Sequence, residues 1–201
     1  MSIFLLSIGT ILVFGRAING EFLFDDQAIL DMETKFKAGA YRIVYPDSTL
    51  WGGIRVDLFF HSLRQRRAIT HFTYYWTWRL FGYNRKAWHG VSLAFHALTV
   101  LGVYFVFLPL LHHAGALVAA GFFGYHPHQT SAVAYVSGRA ALQATFFTVF
   151  GLVFFQMGGL CVILSILFQL LAMKSKEDGP LYLVFYPIYS LLLHVMPSII
   201  H

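Results

Sequence analysis

Long apolar stretches with few polar interruptions occupy most of the chain. Between Ala87 and Met173, the only Asp, Glu, Lys or Arg residue is Arg139. A helix needs roughly 20 mostly apolar residues to cross a bilayer, so this region alone is long enough for several crossings. The pattern therefore predicts an all-α protein, built as a polytopic bundle of transmembrane helices.

Short polar breaks divide the apolar stretches into about six predicted helices. We predict turns at residues 112–115 and 156–159, a polar break at 126–138 and a charged loop at 174–180. No repeat or linker divides the sequence, so we interpret residues 1–201 as one membrane domain. The predicted helices cover residues 3–19, 87–111, 115–125, 139–156, 160–173 and 181–200.

A long polar loop, residues 20–85, follows the first predicted helix. Its second half mixes aromatic residues with arginines, which is typical of helices that lie in the membrane interface. Because spans alternate in direction, this loop shares one side of the membrane with segments 126–138 and 174–180. Every Asp, Glu, Lys and Arg lies on or next to that side. The positive-inside rule favours a cytoplasmic position for it, although the rule weakens for loops of about 60 residues.

The composition also indicates a membrane protein. The chain is 58% hydrophobic and 11% charged, whereas soluble domains carry about 25% charged residues. The net charge of +5 would suit nucleic acid. The basic residues border predicted spans, however, which excludes nucleic acid and favours the lipid bilayer and a phosphate-bearing lipid as partners. Cys161 is the only cysteine, so no internal disulfide can form.

Asp25 and Asp26 are the first candidates for chemistry, because they are adjacent carboxylates that come shortly after the first helix. Two adjacent carboxylates at a membrane surface are costly to desolvate, and one of them can hold a proton. Such a group suits a general base that takes a proton from an acceptor hydroxyl. The alternative is an N-cap of the segment that follows, and residue type alone favours the cap.

Arg67, Arg139 and Lys176 come from the three segments that share the charged side. Together they could clamp a phosphate, whose negative charge grows as it leaves. The alternative for most arginines of the first loop is anchoring in the membrane interface. Arg139 is the strongest candidate of the three, because an isolated charge in an apolar region is a functional candidate by default.

Four histidines raise the question of a metal site: His89, His96, His126 and His128. His126 and His128 lack an acidic neighbour in sequence, and His89 and His96 lie seven residues apart. Seven residues are about two helical turns, which is too far for one ion without a third ligand. We therefore predict no metal, and a packing or hydrogen-bonding role for both pairs.

Several of these segments together resemble one family. Residues 126–140, with His126-Pro127, Thr130 and Gly138-Arg139, resemble a conserved loop of the transmembrane and tetratricopeptide-repeat-containing proteins. These are protein O-mannosyltransferases of the GT-C superfamily, with many bacterial relatives. Three further pieces agree in order and spacing: Phe24-Asp25-Asp26, then Leu80-Phe81-Gly82-Tyr83-Asn84 with His89 and His96, and then Ser175-Lys176-Glu177.

The resemblance implies a GT-C membrane module that moves a mannose-like sugar from a polyprenyl or dolichyl phosphate to a Ser or Thr hydroxyl of a protein acceptor, with inversion. No cofactor is implied, because the lipid-linked sugar is the donor substrate. The implied base is Asp25 or Asp26, the phosphate is held by basic residues, and the site faces the lumen or periplasm. The protein would be a multi-pass protein of the endoplasmic reticulum or bacterial inner membrane. The residues assigned on this basis are Arg67, Arg139 and Lys176 for the phosphate, with His126, Glu177 and His89 in support.

The sequence also departs from the family pattern. The family usually has Glu, Asp and His where this chain has Ser131, Ala141 and Gln129. GT-C enzymes also have more than six spans, and this family adds tetratricopeptide repeats. Two further interpretations therefore stand beside an active enzyme. One is a truncated or degenerate subunit of the same descent, with a second chain supplying the missing helices, and the other is a small transporter, which the one-sided charge disfavours.

Overall fold

A computed structural model describes residues 2–22, Asp26 and residues 67–195. Within these ranges every regular element is helical, which confirms the all-α prediction for that part of the chain. Two short 3-10 segments, Gly15–Asn19 and Gly179–Val184, extend the first helix and precede the last one. The α-helices are α1 (Ser2–Phe14), α2 (Ala68–Phe81), α3 (Arg85–Tyr125), α4 (Gln129–Ala134), α5 (Arg139–Met157), α6 (Cys161–Ser175) and α7 (Phe185–Val195).

Two of these helices, α3 and α5, are long and apolar enough to cross a membrane. The other apolar helices in the described part of the chain are shorter. Many large apolar side chains are nevertheless exposed, among them Val118, Phe122 and Leu160, and such surfaces suit contact with lipid. The prediction of a helical membrane protein agrees with these features, while the count of about six spans stays a prediction.

The predicted turn at 112–115 is present as a break inside α3. His112 has φ 55° and ψ −175°, and the helix reverses direction there. The two halves pack against each other, since Ala116 and Ala120 join Val100 and Val103 in one buried cluster. A Cβ atom on Gly124 would come within 2.9 Å of Val100, so only glycine allows this close approach. Element α3 is therefore a hairpin of two antiparallel helices.

Pro109 interrupts the hydrogen bonding of α3 near this reversal. Proline has no N–H group, so the carbonyl of Phe105, four residues earlier, loses its helical donor. In the structure Gln156 Nε2 donates to Phe105 O at 3.1 Å, and Tyr189 donates to the adjacent Val106 O at 2.7 Å. Side chains from α5 and α7 thus satisfy the carbonyl groups at the proline.

The predicted turn at 156–159 is also present, between α5 and α6. Gly158 and Gly159 both have positive φ, 67° and 54°, a conformation that glycine adopts without steric cost. The paired helices pack through aromatic rings, with the Phe168 centroid 5.1 Å from that of Phe154. This end of the bundle therefore holds the two short connections, at residues 112–115 and 156–159.

The opposite end gathers the segments predicted to share the charged side. Thr70 of α2 donates to the carbonyl of Ser175 at 2.7 Å, and Tyr74 donates to the carbonyl of Val136 at 2.9 Å. Helix α2 is thereby tied to the segment before α5 and to the end of α6. The described parts of the three predicted segments do meet in space.

Candidate functional site

A polar cavity of about 530 Å³ opens where these segments meet. Its charged lining residues are Arg67, at the start of α2, and Lys176, just after α6. The segment between α3 and α5 contributes half of the other lining residues, including His128, Ser131 and Tyr135. Two of the three predicted phosphate-binding residues therefore lie on the same cavity.

Each of the two cations on the cavity wall is paired with a carboxylate from the short loop after α6. Arg67 Nε lies 2.8 Å from both carboxylate oxygens of Glu177, and Lys176 Nζ lies 2.6 Å from Asp178. The hydrogen bond from Arg67 holds the pKa of Glu177 below its usual value, and the bond from Lys176 does the same for the pKa of Asp178. Both pairs are partly exposed, so a stronger anionic ligand can compete for the cations.

Arg139 is not part of the cavity wall. Its side chain is fully buried, and its guanidinium donates to Trp88 O at 2.8 Å, to Thr77 Oγ1 at 3.0 Å and to Ser92 Oγ at 3.4 Å. It also lies over the ring of Tyr74, 4.9 Å from the centroid. Arg139 thus ties α2, α3 and α5 together and does not line the cavity that Arg67 and Lys176 share.

Tyr74 shares this buried environment. Burial raises the pKa of Tyr74 to about 12, so the phenol stays neutral and can donate to the Val136 carbonyl at any physiological pH. Sequence reasoning missed these partners of Arg139. The sequence did contain a signal for them. An arginine buried without a charged partner requires hydrogen-bond acceptors close by, and the hydroxyl groups of Thr77 in α2 and Ser92 in α3 are such acceptors.

Asp26 is also fully buried. Its two carboxylate oxygens accept from the backbone N–H groups of Ser137 at 2.8 Å and Val136 at 3.2 Å. The Asp26 carboxylate also interacts electrostatically with Arg139 and His89. Asp26 thus orients the turn that leads into α5, a role that neither of its two sequence interpretations included. Asp25 lies outside the described residues.

The candidate histidines His89, His96 and His126 lie in different parts of the structure. His89 is buried, with its ring 5.9 Å from that of Phe22. His96 Nε2 lies 3.1 Å from the carbonyl oxygen of Gly124 and joins the two halves of α3. His126 Nδ1 accepts from the backbone N–H of His128 at 3.2 Å. Among the described residues, no group of three or more His, Cys, Asp or Glu could hold a metal ion.

A second cavity, of about 460 Å³, lies on the other side of α4. It is lined by Gly20 and Glu21, which follow the first helix, and it shares His128, Ser131 and Tyr135 with the polar cavity. The short helix α4 and its flanking residues therefore separate two spaces.

Comparison with known proteins gives one distant similarity. No protein-family profile matches the chain, and no solved structure matches it. A protein O-mannosyl-transferase of Caenorhabditis elegans is 25% identical over 174 residues, which cover 85% of this chain and 25% of that protein. The chain thus spans about a quarter of the length of the curated relative that it matches. This similarity points in the same direction as the motifs.

Proposed function

We propose that this chain is a glycosyltransferase membrane module that transfers a mannose-like sugar from a polyprenyl or dolichyl phosphate to a Ser or Thr hydroxyl of a protein. The observation that carries the proposal is the polar cavity with Arg67 and Lys176 on its wall. Segments that resemble O-mannosyltransferases, residues 126–140 and 175–177, enclose it. The multi-pass topology and the extracytoplasmic position of this side belong to the same proposal.

The two cations have a direct task in this reaction. When the acceptor oxygen attacks the anomeric carbon, the bond from that carbon to the phosphate oxygen breaks, and its electron pair leaves with the phosphate. Negative charge on the phosphate therefore increases along the reaction, and cations already in position stabilise it. The Arg67 guanidinium can offer two parallel N–H groups, while Lys176 acts as a point charge.

The proton of the acceptor hydroxyl requires a base. The resemblance implies Asp25 or Asp26, and the geometry of Asp26 favours its neighbour. Both oxygens of Asp26 accept backbone hydrogen bonds in a buried position, so this carboxylate is engaged in holding the turn before α5. We assign the proton transfer to Asp25 and a positioning role to Asp26.

Sugar transfer in membranes from a polyprenyl-phosphate sugar tests the proposal. We expect Asp25→Asn and Arg67→Ala to reduce transfer by about 100-fold or more while the protein stays folded. Asp26→Asn is the matched control, and we expect it to reduce transfer together with thermal stability. Absence of transfer in the wild type, from folded protein and several donors, would contradict an active enzyme.

A second candidate function is a catalytically degenerate subunit of the same descent. Ser131 and Ala141 both line the polar cavity, at positions where the family usually has carboxylates. A subunit of this kind would bind the lipid phosphate without transferring sugar, and a partner chain would supply the missing groups. Wild-type protein that binds a prenyl phosphate, but transfers sugar only after co-expression with a partner, would support this alternative.

A further inference from the structure

The polar cavity has different chemistry on its exposed and its buried sides. The side chains of Arg67 and Lys176 are 45% and 30% exposed. His96 and Thr99 of α3 line the same cavity, and they are 0% and 1% exposed. These two residues offer hydrogen-bonding groups without a permanent charge. The cavity therefore presents cations at its exposed side and polar groups without a fixed charge on its buried wall.

Neighbouring residues fix the ring of His96. Its Nε2 atom lies 3.1 Å from the carbonyl oxygen of Gly124, in the second half of α3. The ring of Phe14 meets the imidazole edge-on with the centroids 5.1 Å apart, and the centroid of the Phe123 ring lies 5.9 Å away. The imidazole is therefore held in one orientation before any ligand enters, as a binding group requires.

The Gly124 carbonyl decides which nitrogen of His96 carries a hydrogen. A carbonyl oxygen can only accept, so Nε2 is the donor in this pair, and Nδ1 of the neutral ring then has a lone pair and no hydrogen. Among the described residues, nothing forms a hydrogen bond with Nδ1, although the atom is buried. A buried polar atom without a partner is costly. The buried wall thus has an acceptor that no described residue uses.

The chemistry of this acceptor selects the part of a ligand that can bind to it. The oxygen atoms of a phosphate carry negative charge, so they are attracted to Arg67 and Lys176 and not to a lone pair. A hydroxyl group can donate its hydrogen to Nδ1 of His96. A ligand with one anionic group and a neighbouring hydroxylated group therefore matches both sides of the cavity.

We propose that Nδ1 of His96 accepts a hydrogen bond from a hydroxyl group of the donor sugar, while the phosphate of the same donor lies against Arg67 and Lys176. The inference rests on the proposed function, because it concerns the sugar of that donor. The cavity volume of about 530 Å³ lies within the range of about 300–1,000 Å³ that is usual for small-molecule sites.

His96 would then determine specificity for the sugar. A site that is built to bind a hydroxyl group rejects an analogue without it, because the buried polar atom of the site is left unpaired. The acceptor Nδ1 would be paired by a sugar hydroxyl and left unpaired by a donor that lacks the sugar. The preference would therefore arise at His96, whereas Arg67 and Lys176 would bind both ligands.

Two substitutions separate ligand binding from packing. Asn carries its amide oxygen on Cγ, as His carries Nδ1, so His96→Asn keeps an acceptor at that place and loses the bond to Gly124. Gln carries its amide nitrogen one bond further, near the place of Nε2, so His96→Gln keeps a donor for the Gly124 carbonyl and loses the acceptor. Each variant thus retains one of the two hydrogen-bonding positions of the ring.

Equilibrium binding to the full chain in nanodiscs tests the inference. One probe is a mannosyl prenyl phosphate, and the other is the same prenyl phosphate with a methyl group in place of the sugar, so both are phosphodiesters of equal charge. We expect His96→Gln to bind the mannosyl probe about tenfold more weakly than the wild type and His96→Asn do. The methyl probe should bind all three proteins equally, which also shows that the variants are folded.

The opposite pattern would contradict a ligand-binding role. If His96→Asn loses tight binding of the mannosyl probe and His96→Gln keeps it, only the contact with Gly124 is important, and the inference is wrong. Equal binding of the mannosyl probe by all three proteins would overturn it as well. So would an equal loss of both probes in His96→Gln, because the effect would then not depend on the sugar.

Binding and transfer are measured separately, so this inference and the proposed function can fail independently. Weaker mannosyl binding in His96→Gln, together with a wild type that transfers no sugar, would overturn the enzymatic proposal and support the role of His96. Sugar transfer by the wild type, together with unchanged mannosyl binding in His96→Gln, would overturn the role of His96 alone.

Discussion

Burial assigns different tasks to Arg139 and Arg67. The guanidinium of Arg139 is enclosed between three helices and is satisfied by acceptors on Thr77, Trp88 and Ser92. The side chain of Arg67 is 45% exposed and paired with Glu177 at the cavity wall. A buried ionic group is costly to disturb, whereas an exposed pair contributes about 0–1 kcal/mol. Arg139 therefore maintains the architecture, and Arg67 is available to a ligand.

A pair of substitutions tests this division. We expect Arg139→Met to lower the free energy of unfolding by about 3 kcal/mol, because it leaves buried acceptors and the Asp26 carboxylate without their cation. Arg67→Met should change stability by less than about 1 kcal/mol but weaken binding of a prenyl phosphate. Thermal unfolding in detergent measures the first effect, and lipid binding measures the second. Equal loss of stability in both variants would contradict the division.

In helix α3, Pro109 leaves a backbone carbonyl whose hydrogen bond is supplied by a neighbouring helix. Pro109 removes a backbone donor inside an apolar region, where an unsatisfied carbonyl is costly. Gln156 of α5 donates to Phe105 O, and Tyr189 of α7 donates to Val106 O and contacts Gln156. These bonds connect three helices at the end of the bundle that has the short turns. The carbonyl groups near the proline thus connect α3 to side chains of α5 and α7 by hydrogen bonds.

A double-mutant cycle measures this connection. We expect Gln156→Ala to lower the free energy of unfolding by about 1 kcal/mol, because the Phe105 carbonyl loses its donor. In a Pro109→Ala background the same substitution should cost less, since the restored N–H can bond to that carbonyl. Denaturant unfolding in detergent gives the four stabilities. Additive effects would show that Gln156 does not compensate for the proline.

At the scale of the molecule, the two ends of the described helical bundle differ in polarity. One end carries the short turns at residues 112–115 and 156–159, and the other carries the polar cavity with Arg67 and Lys176. The apolar stretches of α3 and α5 connect the two ends. In the multi-pass topology proposed above, the cavity would lie at one membrane surface and the turns at the other.

Cysteine labelling in intact cells tests this placement. In a Cys161→Ser background, we expect Thr130→Cys and Glu177→Cys to react with an impermeant maleimide from the extracytoplasmic side, because Thr130 in α4 and Glu177 in the loop after α6 are both exposed. Ala114→Cys and Met157→Cys should react only after permeabilisation. Labelling of residues 114 and 177 from the same side would contradict the topology.

The sequence by itself predicted the main apolar helices and the breaks between them, but it did not predict α4 inside the polar break at residues 126–138. These features depend on local properties: apolar length, glycine at positive φ, and polar residues that cannot remain among lipid tails. The breaks at 112 and at 156–159 could therefore be read directly. The motifs likewise identified two of the segments that line the cavity, residues 126–140 and 175–177, since His128 and Lys176 belong to them.

Only the tertiary structure decided which of the candidate residues meet. Arg139 and Arg67 look alike as basic residues beside apolar segments, yet packing encloses one between α2 and α3 and leaves the other at the cavity. Asp26 bonds to backbone groups about 110 residues away, and no local pattern encodes a contact of that separation. The polar cavity is equally non-local, because part of its wall exists only once one face of α3 lies opposite one face of α5.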